Sequence, residues 1–91
     1  MAVTVKIPTQ LRSAAGGESE AVLEGATVRE VLDGLYDKFD GLSERLADES
    51  GSLRRFVNVY LSGEDIRFLE GLDTPVADGA ELTILPAVAG G

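Results

Sequence analysis

The chain has 91 residues, 44% of them apolar and 26% charged, with 8 Lys+Arg against 16 Asp+Glu and a net charge of −8. That length suits one folded domain. The absence of Cys and His excludes disulfides, thiolate nucleophiles, Cys/His zinc centres and Ser-His-Asp catalysis.

In chain order, Val3, Val5 and Ile7 alternate with Thr4 and Lys6, which predicts a strand over 3–7 with one buried face. Pro8 ends it, Gly16–Gly17 mark a turn, and a weaker strand is expected over 19–24 with Ala21 and Leu23 inward. Thr27-Val28-Arg29-Glu30 matches a capping box. Val28, Val31, Leu32, Leu35 and Phe39 then follow helical spacing. Gly34 weakens that helix and favours close packing on the sheet. Asp40–Gly41 are expected to stop the helix, with Leu42 and Leu46 pointing inward from one further turn. Residues 56–61 are a strong β-branched and aromatic strand. Residues 62–65 read as a turn, Ile66–Phe68 as a short strand or bridge, and Glu81–Leu85 as the last strand. The predicted core is Val5, Ile7, Leu23, Val28, Val31, Leu32, Leu35, Val57, Val59, Leu82 and Ile84.

This order, ββαββ, predicts an α+β fold with the sheet covered on one face by the helix. Residues 1–86 form the domain. Residues 87–91, Ala-Val-Ala-Gly-Gly, are expected to be a flexible tail, since nothing after Pro86 has a helical or alternating pattern. Arg54–Arg55 is the one adjacent basic pair, so nucleic-acid binding is not expected. The opening residues MAVTVKIPTQ carry no apolar targeting run, and no stretch approaches a membrane span of about 20 residues. The expectation is a cytoplasmic monomer with no membrane partner.

The tail ends without Cβ atoms, so it can enter a narrow tunnel in a partner and present a main-chain carboxylate. Tethering to a rigid domain supplies positioning away from the reacting atom. The α-carboxylate is then the functional group of a chain that lacks Cys and His.

The strand Leu82-Thr83-Ile84-Leu85-Pro86 running into Gly90-Gly91 resembles the ubiquitin-like, β-grasp sulfur carriers of the ThiS/MoaD type. The likeness covers essentially the whole chain. Further segments resemble the cysteine-biosynthesis branch of that family. These are V-T-V-K-I-P-T at 3–9, Leu42 to Leu46, Arg55 to Tyr60, Glu64 to Phe68 and Ile84 to Gly91.

The resemblance implies a mixed sheet of four or five strands with one main helix across one face. It implies that an E1-like enzyme, using ATP and Mg²⁺, adenylates the Gly91 carboxylate and that a sulfur donor converts it to a thiocarboxylate. A sulfur-acceptor enzyme then takes the sulfur, a cysteine synthase-like one or one that makes another sulfur-containing metabolite such as a thiosugar or thiamin. The chain itself binds no cofactor and is a cosubstrate, not an enzyme. Val88, Ala89 and Gly90 are implied to thread the partner's tunnel. By alternation Phe56, Asn58, Tyr60 and Leu85 lie on the open face of the sheet. Phe56, Tyr60 and Leu85 form the expected docking patch, Tyr60 and Leu85 falling where ubiquitin-like proteins present their recognition surface. Two other roles use the same tail: a ubiquitin-like protein modifier and the small subunit of a molybdopterin synthase.

Overall fold

A computed structural model of the chain describes residues 2–55 and 57–86. Five strands form one sheet in the order β2-β1-β5-β3-β4. They are β1 (Ala2–Lys6), β2 (Glu20–Glu24), β3 (Val57–Leu61), β4 (Glu64–Asp65) and β5 (Glu81–Pro86). β1 and β5 are parallel and central, with Val5 opposite Leu82. β2 flanks β1 and β3 flanks β5, both antiparallel. Helices α1 (Val28–Lys38) and α2 (Asp40–Leu46) belong to the crossover between the two halves of the sheet. This is the expected β-grasp architecture.

Alternation places Val3, Val5, Leu82, Ile84, Val57 and Val59 on one face, each at most 4% exposed. α1 lays Val28, Val31, Leu32 and Leu35 against them, each at most 2% exposed. Its start is set by the predicted cap: the Glu30 N–H donates to Thr27 Oγ1 at 3.3 Å. Glu30 Oε1 in turn accepts from the Ala26 N–H at 2.9 Å, one residue upstream of the usual capping-box donor. Gly34 packs as expected. A Cβ there would come 3.1 Å from Leu23 Cδ1, so the missing methyl lets α1 approach β2. Gly25 is tighter still, because a Cβ would meet the Val31 nitrogen at 2.9 Å.

Three local expectations are corrected. The helix stops as expected, but one residue earlier: α1 ends at Lys38 with Phe39 non-helical (φ −132°, ψ 89°), and Asp40–Gly41 begin α2, with Asp40 in the first turn, where a carboxylate suits the positive helix end. The inward placement of Leu42 and Leu46 holds, both being 0% exposed. Glu64–Asp65 are strand, while Ile66–Phe68 are a 3₁₀ turn. The true turn is Ser62–Gly63, with φ of +49° and +92°. Two positive φ values in a two-residue loop make the tight hairpin that matches strand twist. Leu23 is half-buried at the edge of the core. Thr9–Ala15, a stretch with no strand or helix period, form a 3₁₀ segment that buries Leu11 and Ala15.

Leu32 is 2% exposed at the centre of the α1–sheet contact. Leu32→Ala is expected to cost about 2–5 kcal/mol, read as a fall in the denaturant midpoint at unchanged slope.

Candidate functional site

The face of the sheet turned away from the helices is built of the alternate residues. β3 and β5 pair with Tyr60 opposite Thr83 and Asn58 opposite Leu85. Opposed residues share a face, and residues one pair further along lie about 7–8 Å apart on it. Tyr60 and Leu85 are therefore diagonal neighbours. Leu85 is 46% exposed and Tyr60 is half-buried. Two of the three residues of the predicted patch thus come together. Phe56, the third, lies outside the described residues, as do Val88, Ala89, Gly90 and Gly91. Pro86, the last described residue, pairs with Val57, so the described strand ends beside Leu85.

The structure adds a polar group beside this patch that sequence reasoning missed. The Arg67 guanidinium, in the turn after β4, donates to Asn58 Oδ1 and to the Asp65 carboxylate at 3.0 and 3.3 Å. Asp65 also caps its own turn by accepting from the Arg67 N–H at 2.9 Å. Hydrogen bonds from Arg67 hold the Asp65 carboxyl below the ordinary carboxylate range, and the same contact raises Arg67 further. Asn58 was legible by alternation as an open-face residue. Arg67 was not, because its side chain reaches across β4 to β3, a contact with no sequence period.

Further across the face, Lys6 Nζ meets Glu20 Oε2 at 2.7 Å in a directly opposed β1–β2 pair. The hydrogen bond to Glu20 raises the Lys6 pKa. The open face thus carries Lys6, Glu20 and the exposed Val22 over β1 and β2, and Tyr60 and Leu85 over β3 and β5. Among the described residues no group of His, Cys, Asp or Glu is placed to hold a metal ion. No described helix is long and apolar enough to cross a membrane.

The sequence profile of the ThiS family matches residues 5–91. The chain belongs to the ThiS family. Within the family it is 52% identical to the sulfur carrier protein CysO of Mycobacterium tuberculosis, over 93 residues that span 100% of both chains. A chain in the crystal structure of the Amycolatopsis orientalis BexX/CysO complex superposes with a TM-score of 0.90 at 52% identity, covering 98% of this chain and 99% of that one. The solution structure of the small archaeal modifier protein 1 from Methanosarcina acetivorans superposes with a TM-score of 0.85 at 40% identity, covering 99% and 96%. The β-grasp fold and the sulfur-carrier function expected from the sequence are borne out by this membership of the ThiS family and by these relatives.

Arg67→Gln leaves Asp65 without its charged donor. A carboxylate whose pKa is depressed on folding stabilises the fold above its ordinary pKa, 3.8 for this group, and that stabilisation is lost as pH falls through the folded value. The variant is expected to return the Asp65 pKa towards 3.8, followed by the side-chain carboxyl ¹³C shift. An unmoved titration would show that Arg67 does not hold Asp65 in solution.

Proposed function

We propose that the chain carries sulfur for cysteine biosynthesis as a thiocarboxylate on Gly91. The observation that carries the reading is the exit of the tail from central strand β5 beside the exposed Leu85–Tyr60 patch, followed by a Gly-Gly end. The likeness to CysO proteins supports the pathway, and the solved BexX/CysO complex supports an enzyme partner for proteins of this kind.

The chemistry follows from the groups available. A carboxylate is a poor electrophile. In an E1-like partner that uses ATP and Mg²⁺, a Gly91 oxygen attacks the α-phosphorus and pyrophosphate leaves. A sulfur nucleophile then adds to the acyl carbon and AMP leaves, so one oxygen is replaced by sulfur. The resulting anionic sulfur is delivered by docking to a sulfur-acceptor enzyme of the cysteine synthase-like kind. The carrier contributes the terminus, the glycines that let it thread, and the patch that fixes its approach. It needs no catalytic side chain of its own, and ATP and Mg²⁺ belong to the partner.

A second reading, protein modification through Gly91, is favoured by the likeness to the small archaeal modifier proteins, such as the 40% identity over 68 residues to modifier protein 3 of Haloferax volcanii. The two part at the product: a thiocarboxylate on the free carrier, or higher-mass lysine conjugates.

Deleting Gly90–Gly91 is expected to abolish sulfur uptake while leaving the fold intact, since the core lies within residues 3–84. A bulky residue at Gly90 acts almost as severely through side-chain clash. One added residue displaces the carboxylate about 3.5 Å along an extended path and also blocks it. Intact mass after incubation with activating enzyme, ATP and sulfide reads all three, with circular dichroism as the folding control. A folded deletion variant that still gains one sulfur sinks the proposal.

Tyr60→Glu and Leu85→Glu are each expected to raise the KM for the carrier about tenfold or more, a loss of ~1.4 kcal/mol of binding. The kcat and the melting temperature should change little. Unchanged KM in folded variants would place the docking surface elsewhere.

A further inference from the structure

At the β3–β4 edge, between the Arg67–Asp65 pair and the core-facing Val57 and Val59, lies a cavity of about 290 Å³. Its floor is apolar and formed by Leu53, Val57, Val59, Ile66 and Leu72. Its rim carries Arg54, Arg55 and Arg67, and Asp65 is the one carboxylate among the described residues that line it. Asp65 is held by Arg67. Arg54 donates to the Glu44 carbonyl oxygen at 3.0 and 3.2 Å, a neutral acceptor, with the Asp48 carboxylate within its field. Arg55 is exposed and has no ion-pair partner among the described residues. The rim is thus locally cationic on a chain of net charge −8.

We propose that this cavity is a docking site for the chain's own residues 87–91, with Val88 on the apolar floor and the Gly91 carboxylate against the Arg55 guanidinium. Reach comes first. Val57, a wall of the cavity, is the cross-strand partner of Pro86, which puts their Cα atoms about 4.5–5.5 Å apart. Five residues extend up to about 17 Å, and the cavity begins at the residue paired with Pro86. Chemistry comes second. The segment offers one branched apolar side chain, two methyl groups and a terminal carboxylate, and no other charge. That combination matches an apolar floor with an arginine rim. Electrostatics comes third. Most of the surface repels a carboxylate, and this rim attracts it.

The tether makes the contact intramolecular, so even weak complementarity gives a populated state. The tail then exchanges between cavity and solvent rather than moving wholly freely. A docked tail is withheld from a partner's tunnel, and binding to the partner competes with the cavity. The proposal concerns the carrier with a free Gly91 carboxylate and does not depend on that group being a substrate for adenylation.

The test is NMR on the full chain, isotope-labelled, beside a chain lacking residues 87–91. Nuclear Overhauser contacts are expected between the Val88 methyls and those of Leu53 or Leu72. The deletion should shift the Ile66 and Leu72 signals, which lie far from Pro86 in sequence. Arg55→Glu should reproduce those shifts in the intact chain, and Arg55→Lys should retain most of the docked signal. Arg55 is exposed, so both variants are expected to fold, with circular dichroism as the check. Two results overturn the proposal. One is shifts confined to Val57 and the end of β5, with no Val88 contacts. The other is contacts seen only between differently labelled chains, which assigns the cavity to a second copy.

Discussion

The parallel pairing of β1 with β5 organises the rest of the molecule. Parallel neighbours cannot be joined by a tight turn, so every residue between Lys6 and Glu81 belongs to the connection between two adjacent central strands. The chain meets this with β2 on one side, two helices across the face, and β3–β4 on the other side. Val3, Val5, Leu82 and Ile84, all at most 1% exposed, are therefore both the sheet's centre and the floor on which α1 rests. The last strand, β5, lies between β1 and β3.

The stretch 66–80 has little regular structure, yet it is tied down. Thr74 is the one buried polar residue among those described, at 5% exposure. Its hydroxyl donates to the Gly71 carbonyl at 2.7 Å and accepts from the Glu70 N–H at 3.0 Å. Its carbonyl accepts from the Val28 N–H at 3.0 Å, and the Val76 N–H donates to the Ala26 carbonyl at 3.0 Å. These bonds satisfy groups at the start of α1 that have no partner within the helix. They also bring Val76 into the core at 7% exposure. Packing and polar satisfaction thus set the approach to β5 together.

Legibility in the sequence followed periodicity. The β1, β3 and β5 strands and α1 alternate or repeat cleanly, and the Thr27 cap announces its own helix. Glu64–Asp65 are two polar residues with no alternation to read, and only the positive φ values at Ser62 and Gly63 reveal where the hairpin turns. Asp40–Gly41 read as a stop because glycine disfavours helix. In the fold, Gly41 lies against Ala14, whose Cβ would be 3.4 Å from a Cβ on it, so α2 packs there on the Thr9–Ala15 segment. In the site, Tyr60 and Leu85 were legible because alternation fixes a face. Arg67 was not, since its role depends on which strands become neighbours.

The end of β5 also shapes how the tail can be recognised. β1 pairs with β5 only through Lys6–Thr83, whereas β3 continues to Pro86. The last residues of β5 therefore have one open edge, the feature that invites addition of another strand. Two prolines blunt it. Pro8 follows the end of β1 and brings no N–H to that side. The Val57 N–H donates to the Arg54 carbonyl at 3.0 Å, so the Val57–Pro86 pair is one of those that exchange no hydrogen bonds. The side of Pro86 that lacks a donor then faces the open edge. A partner strand laid there finds no N–H at Pro86, and the edge ends within a few residues. Strand addition at this edge is disfavoured.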